Sequence, residues 1–293
     1  MKKTLARLGR RGKFIKLAAS RKLTIGDRTY ALPAFRVNAL AKAALAQPHE
    51  PWAEEIFRSV FKIKPGAFID VGANVGQTLL KVLKIDPDRP YIGFEPQTTG
   101  CSPIQQFLIA NRLTRHLILS IGLGREDGLG RLGLREENDI TASTIKGYRP
   151  DGFYSHFQYI PISRGDTVLK QLGIEALSLI KVDVEGGELD VLQGLKESLE
   201  KFRPYVLFEL LPNRLYWAEK KELDDRIIAF RGERHREMGR LLKDLNYTIF
   251  KISPGAGVTP VHELMADHTV AFNHISVPDE ELPAFRKEFR LAG

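Results

Sequence analysis

Residues 68–77 read FIDVGANVGQ, an apolar run that closes on an acid, Asp70, and then passes two glycines, Gly72 and Gly76, into a stretch with helical spacing. Strand, acid, glycine loop and helix start, in that order, open a βαβ unit. Glycine suits such a loop because the backbone has to turn tightly and approach a ligand where a Cβ would collide. The middle of the loop is Ala73-Asn74, so the dinucleotide fingerprint GxGxxG is missing. The pattern fits a ligand whose cationic amino-acid end lies over the loop. Asp70 would then serve its amino group by electrostatic or water-mediated contact, and the loop backbone its carboxylate. Without a ligand, the same glycines would serve helix packing alone.

Working outward, YIGFE (91–95) and HLILSI (116–121) supply two more short apolar runs, with helical sequence around 101–112 between them. The second run ends in Glu95, 19 residues beyond Gly76, where doubly wound sheets place an acid against a ribose. A carboxylate has two acceptor oxygens, and a vicinal diol has two hydroxyls to give them. A solvated strand-end carboxylate is the alternative for Glu95 alone. It becomes a poor explanation once Asp70 and Glu95 end consecutive strands.

The alternation breaks at 122–161, a Gly-rich, polar excursion containing ENDITAST and the aromatic run FYSHFQYI, expected as an insertion over the sheet edge or the site. It resumes with a helix opened by Asp166, then LSLIKVDV (177–184), a helix from Gly187 to about Leu199, YVLFEL (205–210) and a charged helical stretch from about 219 to 245. YTIFKI (247–252) and TVAFNHI (269–275) close the chain with no helix between them, so they must pair antiparallel. The expected fold is α/β, a doubly wound, mostly parallel sheet of seven strands with one antiparallel strand. Residues 1–55 form a basic tail and a small element with a hairpin at 23–32, and 56–293 form the catalytic domain.

A second chemical block is IKVDVEGGELD (180–190). Period-2 alternation puts Lys181, Asp183 and Glu185 on one face of a strand otherwise made of Leu179, Ile180, Val182 and Val184. Charges at the end of a buried strand are costly unless they pair or serve a ligand. An internal pair of Lys181 with Asp183 or Glu185 would satisfy the first condition. Glu209 ends the next strand, so carboxylates again stand on the C-terminal rim where open α/β sheets bind ligands. Asp183 is the candidate general base for an acceptor hydroxyl, with Lys181 or Glu209 orienting it. Asp183, Glu185 and Glu209 could also offer oxygen ligands to Mg²⁺, but no His/Cys cluster has zinc spacing, and the expectation is that no metal is needed.

The formal charge of +8 belongs to one end: nine of the 44 Lys and Arg precede the first acid, Asp27, leaving 35 basic against 36 acidic residues. The body is neutral, which disfavours nucleic acid as a partner. The tail fits peripheral contact with an anionic membrane, or a solvated terminus. Gly9-Arg10-Arg11-Gly12 stands where a signal peptide needs its apolar segment. With one cysteine, Cys101, no internal disulfide is possible. A cytoplasmic protein is expected.

FIDVGANVGQ, FEP at 94–96, IKVDVEGGELDVLQGL and YVLFEL, in this order and spacing over roughly 60–275, resemble the FkbM-type methyltransferases. The resemblance implies a seven-stranded class I methyltransferase fold, S-adenosylmethionine as donor, and O-methylation of a sugar, glycan or polyketide hydroxyl. It places Asp70, Gly72, Asn74, Gly76 and Glu95 where the family binds the donor, and Lys181, Asp183, Glu185 and Gly186 in its central block. Thr141, Ala142 and Ser143 resemble a stretch near the acceptor, so Glu185 and Ser143 become candidate substrate contacts. Where the family commonly has an Ala-Leu-Ser-Asp-like adenine segment, this chain has Ser120-Ile-Gly-Leu-Gly-Arg-Glu-Asp127, so the adenine contacts are the weakest part of what the resemblance implies. The first 55 residues and the aromatic insertion match nothing in the family and are expected to choose the acceptor. Competing expectations are an RNA methyltransferase using Phe153, Tyr154, Phe157 and Tyr159 for stacking, a nicotinamide-dependent oxidoreductase, and a non-catalytic binding module.

Overall fold

A computed structural model describes residues 21–32, 40, 50–136, 139–211, 215–216, 221–253, 257–264 and 272–289. The basic tail at 1–20 lies outside them. The N-terminal hairpin forms as expected, β1 (Arg21–Ile25) and β2 (Arg28–Leu32) turning on Gly26-Asp27. There follow α1 (Pro51–Ile63), β3 (Ala67–Val71), α2 (Gln77–Ile85), β4 (Tyr91–Phe94), α3 (Thr98–Ala110) and β5 (His116–Leu119). Next come β6 (Gly122–Gly124), β7 (Gly128–Leu134), β8 (His156–Arg164), α4 (Gly165–Gln171), β9 (Leu177–Val182), α5 (Glu188–Gly194), α6 (Lys196–Phe202) and β10 (Tyr205–Leu210). A short pair, β11 (Leu215–Tyr216) and β12 (Lys221–Glu222), precedes α7 (Asp225–Asp244), β13 (Tyr247–Ser253), β14 (Gly257–Val261), β15 (Phe272–Pro278) and α8 (Leu282–Glu288).

The main sheet has the order β14-β13-β15-β10-β9-β3-β4-β5. Strands β3, β4, β5, β9 and β10 pair parallel, and β15 runs antiparallel to both β10 and β13. The seven expected strands are present with β15 reversed, and the loop before it holds one more, β14, pairing antiparallel with β13 at the edge. That Gly/Pro-rich loop is too short for a helix but long enough for a hairpin.

Strands β3 and β9 are buried at every position, as central parallel strands covered on both faces must be. One face carries Phe68, Tyr91, Leu179 and Tyr205 against Phe57 and Val60 of α1, Leu79 and Val82 of α2, and Phe107 of α3. The other carries Ile69, Ile92, Ile180 and Val206 against Val168 of α4, Leu192 of α5, Leu199 of α6 and Leu242 of α7. The chain leaves β3 toward β4 on one side, while β9 pairs on the other. The crevice between β3 and β9 is therefore the topological switch point, the place for a ligand in an open α/β sheet.

Three boundaries differ from expectation. Strand β9 ends at Val182, so Asp183 and Glu185 lie on the loop after it, and Glu185 has left-handed backbone, φ 56°. The helix expected from Gly187 to about Leu199 is two, α5 and α6, broken at Leu195. Segment 122–161 is a second sheet, β6-β8-β7, whose β8 runs on to Arg164. Strand periodicity had been hidden there by the glycines of GLGRLGL, which give β7 no side-chain alternation to read.

Candidate active site

Register sets the site. Asp70 of β3 stands beside Lys181 of β9 and Gly93 of β4, and Lys181 beside Leu207 of β10. Side chains alternate between faces with period two, so Asp70, Lys181 and Glu209 emerge on the same face. Adjacent strands lie about 4.8 Å apart, so the charged ends line one rim. Along it runs a cavity of about 530 Å³, the size of a small-molecule site.

At the β3 end the loop 72–76 forms the cavity floor. Gly72 has φ 88°, and a Cβ there would stand 1.9 Å from the Asp183 carbonyl oxygen. Its N–H and that of Ala73 both donate to the Phe94 carbonyl, tying the loop to β4. Asn74 is left-handed, φ 46°, and its N–H donates to Glu95 Oε2 over 2.9 Å. Gly76, φ 85°, is the N-cap of α2 and does not line the cavity.

Glu95 is buried and lines the cavity. Its Oε1 accepts from the Gln97 N–H at 2.8 Å, so each oxygen takes one backbone N–H and keeps a lone pair for another donor. Burial pushes its carboxyl above the usual range, against the pull of those two hydrogen bonds. A rigid carboxylate with two oxygens facing a cavity suits a vicinal diol.

Asp70 stands behind the cavity wall, where only an indirect, electrostatic influence on a ligand is open to it. The residue is fully buried, does not line the cavity, and accepts the Tyr91 hydroxyl at 2.6 Å on Oδ2. Burial pushes its carboxyl up to about 6, with Lys181 and the Tyr91 hydroxyl pulling the other way. Asp70 thus supports Lys181 from behind the wall.

Lys181, Asp183, Glu185 and Glu209 all line the cavity. Lys181 Nζ donates to Asp183 Oδ2 at 2.8 Å. Burial pulls the ammonium down, but Asp183, Asp70 and Glu50 outweigh it and the net shift is upward. Asp183, Glu185 and Glu209 can bring one carboxylate oxygen each within 4.8 Å of one another. Burial pushes the Glu185 carboxyl up to about 8 despite its ion pair with Arg149, and Asp183 and Glu209 add to the rise. Burial does the same for Glu209, up to about 8, helped by the negative charge of Asp183 and Glu50. These three carboxylates are the only described metal-competent group, and two of them are already paired to cations.

The small sheet roofs the cavity with Leu132, Ile160 and Ile162, and the loop after β7 adds Asp139 to Thr144. Asp139 shapes that loop by accepting from the N–H groups of Arg135 and Thr141 and from the Thr141 hydroxyl. Ser143 reaches the cavity wall, with its Oγ accepting from the Ile145 N–H at 3.2 Å. Gly122 and Leu123, inside the segment that departs from the family pattern, also line the cavity. Of the aromatic run, Phe157 and Tyr159 face outward, 51% and 69% exposed, so the stacking residues expected for RNA are not at the site.

Sequence reasoning missed Glu50, Lys81, Arg149 and Arg231, which also line the cavity. Arg231 of α7 is 1% exposed and donates from Nε and Nη2 to the Tyr148 carbonyl, holding the roof segment to the body. The tie continues at Gly186, where a Cβ would strike the Tyr148 ring at 2.5 Å. Only Lys81 left a trace in the sequence, as a cation between the apolar Leu79 and Val82 of a helix that packs on the sheet.

The family model described as methyltransferase FkbM domain matches residues 70–249. The chain is similar to the 2-O-methyltransferase NoeI of Sinorhizobium fredii, 27% identical over 161 residues that cover 50% of this chain and 64% of that protein. It is also similar to Methyltransferase 1 of Beauveria bassiana, 26% identical over 170 residues covering 53% of this chain and 68% of the other. The match thus spans somewhat under two thirds of NoeI. Among solved structures, the methyltransferase FkbM from Methylobacillus flagellatus superposes with TM-score 0.42 and 13% identity, covering 72% of this chain and 43% of that one. The matched span runs from Asp70 through the glycine loop, Glu95 and the 180–190 block into β13, and the chain belongs to the FkbM-domain methyltransferases.

Proposed function

We propose that the chain transfers a methyl group from S-adenosylmethionine to a hydroxyl of a sugar, glycan or glycosylated lipid or natural product. One observation carries the reading: the Glu95 diol site, the Gly72–Asn74 floor and the Asp183–Glu209 carboxylates line one cavity across neighbouring strands. The donor fits the residues present. Gly72, Ala73 and Asn74 line the cavity floor, and Glu95 keeps a lone pair on each of its two oxygens for ribose hydroxyls. Gly72, Ala73, Asn74 and Glu95 would hold it, with Gly76 setting the start of α2. When bound, the donor supplies an electrophilic methyl group on a sulfonium.

The chain's own residues do the rest. Lys181 fixes Asp183 through Oδ2, leaving Oδ1 to take the proton of an acceptor hydroxyl, which is a poor nucleophile until a base engages it. Glu209, with its carboxyl raised to about 8, holds a proton at neutral pH and can donate a hydrogen bond that orients the acceptor oxygen. Glu185, paired to Arg149, and Ser143 border the acceptor end. Oxygen as the methyl acceptor is supported by the similarity to the 2-O-methyltransferase NoeI, and clustered carboxylates suit a polyhydroxylated, uncharged acceptor.

The test is transfer of a labelled methyl group to a panel of glycans and glycolipids by wild type and Asp183→Asn. Loss of about 100-fold or more in turnover with donor binding retained is the expected result for removal of a general base. An Asp183→Asn variant that turns over like wild type sinks this role.

A further inference from the structure

We infer that the Lys81–Glu50 pair is the subsite for the amino-acid end of the donor, Lys81 taking its carboxylate and Glu50 its ammonium; this rests on the donor reading above. That end carries one negative and one positive group, and the loop was expected to serve them with Asp70 and backbone. Asp70 is enclosed behind the wall and bonded to Tyr91. The next charges along the wall, Lys181 and Asp183, hold each other at 2.8 Å. Lys81 and Glu50 stand at the remaining edge of the floor, beside Thr78 and the 72–75 loop, and both line the cavity.

Several features of the pair point to a ligand. Lys81 Nζ lies 3.4 Å from Glu50 Oε2, a longer contact than the Lys181–Asp183 pair. The Lys81 side chain is only 11% exposed, so its ammonium is desolvated while its contact to Glu50 is a long one. Burial lowers the Lys81 ammonium, with Lys181 nearby adding to the effect and Glu50 opposing it. An extra carboxylate at Nζ would relieve both costs. Glu50, at the N-cap of α1, has left-handed backbone, φ 49° and ψ 63°, and its side chain makes no capping bond to its own helix. At a position where a non-glycine residue rarely sits, the carboxylate is turned into the cavity instead.

Strand order supports the placement. Glu95 ends β4, the floor follows β3, and Lys81 and Glu50 come from α2 and α1, which pack on the face where Lys181 and Glu209 emerge. A ligand with its ribose on Glu95 and its chain along the floor has its far end toward Lys81. The reactive centre between them then faces Asp183 and Glu209.

The experiment is calorimetric titration of four probes into wild type, Lys81→Met and Glu50→Gln. The probes are S-adenosylhomocysteine, its decarboxylated analogue, its deaminated analogue and methylthioadenosine, which lacks the whole amino-acid end. Lys81→Met should weaken S-adenosylhomocysteine about 10-fold or more, the scale of a charged hydrogen bond, while leaving the decarboxylated analogue and methylthioadenosine within about twofold. Glu50→Gln should do the same with the deaminated analogue as the insensitive one. Glu50→Gln keeps every packing atom in place and carries the test if Lys81→Met does not fold. Equal weakening of all four probes, or of none, would mean that the pair only fastens α1 to α2, and overturns the inference. Wild type that binds none of the probes would instead overturn the donor reading beneath it.

Discussion

A Cβ at Gly72 would stand 1.9 Å from the carbonyl oxygen of Asp183, so the floor of the cavity and the backbone of the candidate base are packed against each other with no room for a methyl group. The loop after β3 and the loop after β9 also share a hydrogen bond, from the Asp183 N–H to the Val71 carbonyl at 2.9 Å. The loop proposed to hold the donor and the loop carrying the candidate base are one mechanical unit.

Gly72→Ala should therefore damage both. The residue has φ 88°, where a Cβ is strained, and the clash is with backbone that has no rotamer to change. A loss of about 2–4 kcal/mol in stability is expected from strain and overpacking together. Denaturant unfolding measures it, and turnover should fall by more than the folded fraction explains. A variant as stable and active as wild type would contradict the contact.

The raised carboxyls of Glu185 and Glu209 make stability depend on pH in a definite direction. Their folded carboxyls are raised from 4.5 to about 8, so the fold favours the protonated form. The stabilisation is complete below the ordinary carboxylate range and is lost as pH rises toward 8. Between roughly pH 6 and pH 8.5, the upper part of that loss, wild type should lose at least about 2 °C more in Tm than Glu209→Gln, which cannot ionise. Parallel Tm–pH profiles for the two proteins would show that Glu209 does not carry a raised pKa.

Chelation should leave methyl transfer unchanged within about twofold, since two of the three carboxylates that could bind a divalent ion, Asp183 and Glu185, are already paired to Lys181 and Arg149. Turnover with and without EDTA, followed by added Mg²⁺, reads this directly. Loss with EDTA and recovery with Mg²⁺ would mean that a cation displaces those side chains.

That Gly72, Asn74 and Glu95 would line one cavity was legible in the sequence because this part is built from local pattern. An apolar strand, a glycine that must be left-handed and a strand-end acid 19 residues on from Gly76 are set by neighbours in the chain. The exception is Asp70, whose side chain follows strand register to the Lys181 face and ends behind the wall rather than in it. Glu50, Lys81, Arg149 and Arg231 were not legible because each reaches the cavity from a different helix or loop, through packing that no spacing encodes. The small sheet was missed for a local reason: glycine-rich β7 has too few side chains to alternate, and its partner β8 exposes Phe157 and Tyr159 on the outer face. The β9 end was misjudged because period-2 alternation continues on paper through Asp183 and Glu185, while the backbone turns left-handed at Glu185.

Donor binding is the central claim, and titration of S-adenosylmethionine into wild type and Glu95→Ala, with NADH as control, tests it most directly. Micromolar binding of S-adenosylmethionine alone, weakened about 10-fold or more when the Glu95 carboxylate is removed, is the predicted result. Folded wild type that binds NADH instead, or binds S-adenosylmethionine equally well without Glu95, would contradict the assignment of the cavity.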